Sequence, residues 1–228
     1  QMKTDMIRIA SHDLRNPLGT LVGYIDLLEM DKANLTPQHQ SYVKTMLRLA
    51  ERTQMIVSDI LSLERLEEPE STMRGVNLTK IVNRVLNIFQ DQIDSRGLTC
   101  KTHIDANPVR VWGDPIQITE AISNLVENAI KYTPQQGRID ITLSIRDEQA
   151  FFSVSDTGYG IAEDQQARLF EPFYRAVRKE TQDIEGTGLG LHLVKNIIRR
   201  HQGEITFDSK VGRGSTFSFE LPILPVGK

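Results

Sequence analysis

The first residue with reactive chemistry is His12, in the run Ser11-His12-Asp13-Leu14-Arg15-Asn16-Pro17-Leu18. An imidazole next to a carboxylate can act as a nucleophile, a general base or a metal ligand. Asn16 follows four residues later and therefore lies on the same side of a helix as His12. The role of His12 depends on what other reactive groups the rest of the chain supplies.

A row of polar side chains is predicted on a helix that starts after Asp114, where an N-cap acid precedes a proline at the first helical position. Asn124, Asn128 and Lys131 are spaced i, i+4 and i+7, so they lie along one face of that helix. Amide oxygens suit Mg²⁺, and a lysine ammonium suits a phosphate. Alone, this pattern is more typical of a solvated helix face.

Two glycine-rich segments favour a ligand-binding role for this helix face over a solvated surface. Asp156-Thr157-Gly158-Tyr159-Gly160-Ile161 offers a carboxylate that could accept a hydrogen bond from the exocyclic amine of adenine, next to glycines that let a flat ring approach the backbone. Gly186-Thr187-Gly188-Leu189-Gly190-Leu191 precedes a predicted helix, whose free N–H groups and dipole favour phosphate. Each segment is weak evidence alone, but with the polar helix face they predict a nucleotide site.

In this combination the chain resembles the catalytic core of a sensor histidine kinase of two-component signalling. Five motifs carry the resemblance: the H box around His12, and the N, G1, F and G2 boxes at residues 124–132, 156–161, 170–175 and 186–191. They occur in the order typical of the family and span nearly the whole chain, from Ile9 to about Leu221.

The resemblance implies ATP and Mg²⁺ as cofactors. It implies that Asn128, assisted by Asn124, holds Mg²⁺, and that Lys131 and Tyr132 face the phosphates. Asp156 would read adenine, and Arg175 is the family's candidate for the γ-phosphate. The remaining nucleotide-binding positions that it implies are Gly158, Gly160, Gly186, Thr187, Gly188, Leu189 and Gly190.

The same ATP-binding fold serves gyrase-like, heat-shock-chaperone and mismatch-repair ATPases, so an ATP-hydrolysing conformational switch is the main alternative. Those relatives place a glutamate where this chain has Asn124. A neutral amide cannot take a proton from attacking water, which favours His12 as the phosphate acceptor. A non-catalytic dimerising and partner-binding module is a third hypothesis, disfavoured because every nucleotide motif is intact.

Within the H box, Asp13 could accept a hydrogen bond from one imidazole nitrogen of His12 and so make the other nitrogen more nucleophilic. The resemblance implies that phosphate then passes to an aspartate in the receiver domain of a response regulator. Asp13 followed three residues later by Asn16 matches kinases that also dephosphorylate this partner. The Asn16 amide could orient the attacking water.

Two helices are predicted to position His12. Apolar residues recur at helical spacing from Ile7 to Leu28 and again from Val43 to Leu63, and a turn is predicted over 31–38. A two-helix hairpin cannot cover its own apolar faces. We therefore expect a homodimer that forms a four-helix bundle.

The predicted fold class is multi-domain α and α+β. Residues 1–68 are predicted to form the dimerisation and histidine phosphotransfer hairpin, and 69–76 a linker in which a proline, a glycine and charges break the periodicity. Residues 77–228 are predicted to form an α/β sandwich ATP-binding domain of the gyrase, chaperone and histidine-kinase type. Strands are predicted at Leu98–Ile104, Val109–Trp112, Ile139–Ile145, Phe151–Val154, Gly203–Phe207 and Ser215–Leu221.

Composition excludes some classes of partner. A net charge of −3 gives no broad basic surface for nucleic acid, and no apolar stretch reaches the roughly 20 residues of a membrane span, so no membrane contact is expected. The single Cys100 fits a reducing, cytoplasmic compartment. Because Gln1 opens inside a helical pattern, we expect a fragment whose upstream sensor domain is missing and whose full-length form is either soluble or membrane-anchored.

Overall fold

The computed structural model describes residues 18–66, 73–176, 180–182, 184 and 186–224. The chain divides into two compact units. Of the described residues, 18–66 and 186–189 belong to the first unit and all others to the second. Within these ranges, no helix has both the length and the apolar character needed to cross a membrane.

The first unit contains the predicted helical hairpin. Helix α1 covers residues 18–30 of the described part, a short 3-10 turn follows at Lys32–Asn34, and helix α2 spans Pro37–Arg65. Thr36 accepts a hydrogen bond from the backbone of His39 and so helps to start α2. The two helices pack through a small core made of Ile25, Val43 and Ala50, with Val22, Leu35 and Leu47 around it.

Both helices of the hairpin leave a second set of apolar side chains exposed. On α2 these side chains recur at i, i+4 and i+7, about a quarter of a turn away from the core stripe. We call this set the exposed apolar stripe; it consists of Leu21, Tyr24 and Leu28 on α1 with Tyr42, Met46 and Leu49 on α2. The hairpin by itself does not cover this surface.

The second unit is a two-layer α/β sandwich, as predicted. Strands β1 Arg74–Asn77 and β3 Arg110–Gly113 form a two-stranded sheet. The five-stranded sheet consists of β2 Thr99–Ile104, β4 Arg138–Arg146, β5 Gln149–Asp156, β6 Glu204–Lys210 and β7 Gly214–Pro222. Its order is β2-β4-β5-β7-β6, with β2 parallel to β4 and the other neighbours antiparallel. Helices pack on one face of the sheet; they are α3 Leu78–Ser95, α4 Pro115–Tyr132 and α6 Gly190–Arg200, while the short α5 is Glu163–Gln166.

Alternate residues are buried from Ile139 to Leu143 on β4 and from Ala150 to Asp156 on β5, as in strands that have one face on the core. The inward-facing Ile139, Ile141 and Leu143 are almost fully inaccessible to solvent. The helices contribute matching apolar stripes, so the core lies between the sheet and α3, α4 and α6.

The sequence prediction of a linker over 69–76 is wrong for residues 74–76. Strand β1, Arg74–Asn77, pairs antiparallel with β3, Arg110–Gly113, and Val76 of β1 is buried. Gly75 and the nearby charges gave this segment the composition of a linker, but its partner strand lies far along the chain. The pairing therefore had no local signature.

Candidate nucleotide-binding site

Helix α4 is the platform of the site. Asp114 caps it, because its Oδ1 accepts hydrogen bonds from the backbone N–H groups of Ile116 at 2.8 Å and Gln117 at 3.2 Å. The apolar face of α4 is buried through Ile118, Ala121, Ile122, Leu125, Val126, Ala129 and Ile130. Consequently Asn124, Asn128 and Lys131 lie together on the half-exposed face.

The Asn124 amide has a defined orientation. Its Nδ2 donates to the carbonyl of Glu120 at 3.0 Å, so its Oδ1 points away from its own helix. A Cβ on Gly190 would lie 2.6 Å from this oxygen, so the start of α6 can approach α4 this closely only with glycine at that position. Asn128 makes no hydrogen bond to another described residue. The Asn124 oxygen therefore faces the start of α6, and the Asn128 amide lies one turn further along the same face of α4.

These oxygens fit Mg²⁺, which takes few protein ligands and completes its coordination with water and substrate phosphates. In the described part of the chain, no group of three His, Cys, Asp or Glu side chains could hold a metal. A metal at α4 would have amide oxygens and the phosphates of a nucleotide as its ligands.

The two cations expected near the phosphates both have protein partners in this structure. Lys131 Nζ is 2.8 Å from Glu127 Oε1, one turn earlier on α4, and both side chains are partly exposed. Arg175 Nη2 donates to the carbonyl of Ile184. An exposed ion pair of this kind contributes less than about 1 kcal/mol, so a phosphate can displace Glu127 easily.

Asp156 ends β5, one of the inner strands of the sheet. Its Oδ1 accepts hydrogen bonds from the backbone N–H groups of Gly158 at 2.7 Å and Ser215 at 3.3 Å. Only 8% of the residue is exposed, and this burial raises the pKa of Asp156 to about 6 against the opposing effect of the two N–H groups. Oδ2 is left to accept a hydrogen bond from a ligand.

The loop after Asp156 packs directly against the end of α4. A Cβ on Gly158 would lie 2.4 Å from the carbonyl oxygen of Tyr132, and that oxygen also accepts a hydrogen bond from the Tyr159 N–H at 3.2 Å. Gly160 has a φ of 65°, and a Cβ there would collide with the Lys210 carbonyl. The loop at Gly158 therefore connects Asp156, the residue predicted to bind adenine, with Tyr132 at the end of α4. Helix α4 carries the predicted metal ligands.

Sequence reasoning did not single out the turn between β6 and β7, which supports this loop. Ser215 donates its backbone N–H to Asp156, Ser209 Oγ accepts from the Ile161 N–H at 2.9 Å, and Gly212 donates to the Tyr159 carbonyl at 2.9 Å. The turn carries Gly212, Arg213 and Gly214, which is the local signal of a hairpin but not of a nucleotide site.

His201 is a second supporting residue that the sequence did not assign. It is buried at the end of α6, where its Nε2 accepts from the Asp114 N–H at 2.9 Å and its Nδ1 donates to the Ile197 carbonyl at 2.7 Å. Burial lowers the pKa of His201, which keeps the neutral imidazole that can accept this bond. His201 thereby fixes the start of α4 to the end of α6.

Other predicted residues belong to the first unit or lie outside the described part of the chain. Gly186, Thr187, Gly188 and Leu189 belong to the first unit, where Thr187 Oγ1 donates to Asp59 Oδ2 at 2.5 Å and accepts from the Leu189 N–H at 3.1 Å. His12, Asp13 and Asn16 lie outside the described residues. The roles expected for these seven residues stay predictions.

Comparison with family models separates the same two parts. Residues 113–225 match the histidine kinase-, DNA gyrase B- and HSP90-like ATPase domain. Residues 2–69 match the His Kinase A (phospho-acceptor) domain. The fold and site of the second unit thus define an ATP-binding domain of this class, and ATP is the nucleotide that the class binds.

Individual relatives agree with the models. The sensor histidine kinase RppB of Synechocystis is 35% identical over 95% of this chain, and the phosphate regulon sensor protein PhoR of Pseudomonas aeruginosa is 35% identical over 96%. The chain covers 48% and 49% of these proteins, so it spans about half the length of the curated relatives it matches.

Solved structures give the same result. The catalytic domain of histidine kinase ThkA is 30% identical, with a TM-score of 0.58 over 66% of this chain and 95% of that domain. Full-length ShkA in complex with AMPPNP is 26% identical, with a TM-score of 0.75 over 98% of this chain and 47% of its own. The chain belongs to the histidine kinase family and carries the phospho-acceptor and ATP-binding domains of its catalytic core.

Proposed function

We propose that the chain autophosphorylates His12 with ATP and passes the phosphate to an aspartate in the receiver domain of a response regulator. The observation that carries the proposal is the α4 face, where an amide oxygen of Asn124, directed towards the start of α6, stands in the position of a hydrolase's glutamate. An amide can bind a metal but cannot deprotonate water. The γ-phosphate therefore needs a nucleophile other than water.

The proposed step forms a P–N bond between His12 and the γ-phosphorus while the P–O bond to ADP breaks and ADP leaves. The neutral imidazole attacks through one nitrogen, and Asp13 accepts the hydrogen bond of the other, which stabilises the cation that develops. Mg²⁺ held by Asn124 and Asn128 would neutralise charge on the phosphate oxygens, and Lys131 and Arg175 would add to this. Asp156 would hold adenine through Oδ2.

The test of this proposal incubates the chain with γ-labelled ATP and Mg²⁺ and follows the label on the protein. We expect label that is lost in acid and retained in alkali, because phosphohistidine has a labile P–N bond. Label that survives acid would place the phosphate on a hydroxyl group and contradict the proposal.

We also propose that the chain is a homodimer through the exposed apolar stripe of the hairpin. Leu49 is 57% exposed and Leu21 is 49% exposed, although both lie on helices that have a separate buried stripe. A second copy of the hairpin would bury these side chains as the core of a four-helix bundle. The match to the phospho-acceptor domain supports this assembly.

Replacing Met46 and Leu49 together with glutamate should convert the dimer to a monomer, because two carboxylates cannot enter an apolar interface without a large desolvation cost. Analytical ultracentrifugation at micromolar concentration measures the change. Ser41→Glu is the matched control, since it adds a carboxylate on the exposed polar face of the same helix. A wild-type chain that sediments as a monomer would contradict the proposed dimer.

Asn16 gives the proposed kinase a second activity, dephosphorylation of the same receiver domain. We expect Asn16→Ala to accept phosphate on His12 at nearly the wild-type rate but to remove it from the receiver about tenfold or more slowly, because the amide that orients water is gone. The measurement is the half-life of a phosphorylated receiver domain that takes its phosphate from this chain. An unchanged half-life would show that Asn16 has only a structural role.

A further inference from the structure

A half-buried histidine on α6 contacts residues 169–175, which we call the F-box turn. His192 Nδ1 is 2.9 Å from the carbonyl oxygen of Phe170. A carbonyl oxygen can only accept, so Nδ1 carries the hydrogen and donates it. This bond ties the F-box turn to the first turn of α6 within the second unit.

The same face of α6 holds Phe170 through its ring as well. Lys195 lies one turn after His192, and its Nζ is 5.3 Å from the centroid of the Phe170 ring. The ring also meets Phe207 of β6 edge to face, with 5.8 Å between centroids. Phe170 is therefore held between α6 and β6 by three contacts, of which only the His192 bond fixes its backbone.

Fixing the backbone at Phe170 restricts the residues that follow it. The Tyr174 N–H donates to the Glu171 carbonyl at 3.3 Å, and the Arg168 guanidinium lies 4.3 Å above the Tyr174 ring. Arg175 comes next, a few residues beyond the anchored carbonyl. The space that the Arg175 guanidinium can sample is consequently set in part by the bond at His192.

His192 also lies in the turn of α6 whose backbone N–H groups have no partner within the helix. The sequence predicts that phosphate binds at this end of α6, and in the proposed function Arg175 neutralises charge on the transferring phosphate. We propose that His192 is a positioning residue for phosphoryl transfer: its hydrogen bond to Phe170, together with the bond from Arg175 to the Ile184 carbonyl, helps to set the distance from the start of α6 to Arg175. This inference rests on the proposed function, and the histidine need not touch ATP.

Two substitutions separate this role from a structural one. His192→Asn keeps a donor, because the asparagine Nδ2 lies at the same position along the side chain as the histidine Nδ1. His192→Leu removes the donor but fills similar space and is the better helix former of the two. A purely structural residue would therefore tolerate leucine better than asparagine, whereas a positioning residue would tolerate asparagine better.

We expect His192→Leu to lower the rate of phosphohistidine formation at saturating ATP by about five- to tenfold, a loss that lies within the range expected for one neutral hydrogen bond. Its KM for ATP should change less than about twofold, since the contact affects the transferring phosphate rather than nucleotide affinity. His192→Asn should retain at least about half of the wild-type rate. Equal losses in both variants, or a wild-type rate with leucine, would overturn the inference.

A second readout does not depend on catalysis. Amide hydrogen exchange at Glu171 and Tyr174 should be faster in His192→Leu than in the wild type and unchanged in His192→Asn, because only leucine releases the F-box turn. A wild-type chain that never forms phosphohistidine would refute the proposed function, while exchange would still test the bond. Exchange that is equal in all three chains would refute the anchoring of the F-box turn.

Discussion

Replacing His12 with glutamine should abolish phosphorylation of the chain, with a loss of about a thousandfold or more, because the amide nitrogen of glutamine has no available lone pair to attack phosphorus. Glutamine keeps a polar nitrogen at nearly the position of the histidine Nε2, so the substitution changes nucleophilicity more than shape. The measurement is incorporation of label from γ-labelled ATP, with acid lability as the signature. Label that persists in this variant would show that another residue is the acceptor.

The His12→Gln variant also separates the kinase from an ATP hydrolase. Its affinity for ATP should match that of the wild type, because the α4 residues and Asp156 are unchanged. Its release of inorganic phosphate should stay at background, since Asn124 offers no base for water. If the variant binds ATP and releases phosphate as fast as the wild type consumes ATP, the result would favour the ATP-hydrolysing conformational switch.

Replacing Asp156 with asparagine should weaken ATP binding by about 100-fold, because a donor amide would face the donor amine of adenine where a carboxylate oxygen now accepts. The asparagine Oδ1 can keep the two inward hydrogen bonds from Gly158 and Ser215, so the loop should hold its shape. Binding is measured by calorimetry with ATP and with inosine triphosphate, whose ring has an acceptor at the same position. The preference for ATP should fall or invert, whereas a merely distorted site would lose both nucleotides equally.

The pKa of Asp156 gives the same prediction a pH signature. In the proposed function the ionised carboxylate accepts the hydrogen bond of adenine, so wild-type affinity for ATP should fall about tenfold for each pH unit below the Asp156 pKa of about 6. The Asp156→Asn variant has no such carboxyl and should lack this tenfold loss per pH unit over the same range. A wild-type profile that is flat down to pH 5 would contradict the assignment of Asp156 to the ligand.

As the pH rises, the stability of the nucleotide-free protein should fall while its affinity for ATP rises. Asp156 has a pKa of about 6 in the folded protein and an ordinary pKa of 3.8 in the unfolded chain. Between these two pH values the folded state binds more protons than the unfolded state. The free energy of unfolding therefore falls as the pH rises through this window. Above pH 7 the buried charge costs the fold about 2 to 3 kcal/mol. Nucleotide-free Asp156→Asn should therefore unfold at a higher temperature than the wild type at pH 8.

The sequence predicted most of the elements because their signals are local. The N-cap at Asp114 and the apolar spacing on α4 depend on neighbouring residues alone, and the predicted strands of the second unit agree with the observed ones to within a few residues. Strand β1 was missed because its evidence is a pairing with β3, which no local pattern records. The chemistry of the motifs was likewise readable from residue types and order.

By itself, the sequence determined which reactive groups the chain carries and the order in which it carries them. Tertiary structure decided which of those groups share a face and what surrounds them. The raised pKa of Asp156 follows from its burial in the sheet, and the contacts of Ser215, His201 and His192 join segments that are distant in the chain. Such contacts are fixed by strand register and helix packing, which depend on the whole fold rather than on neighbouring residues.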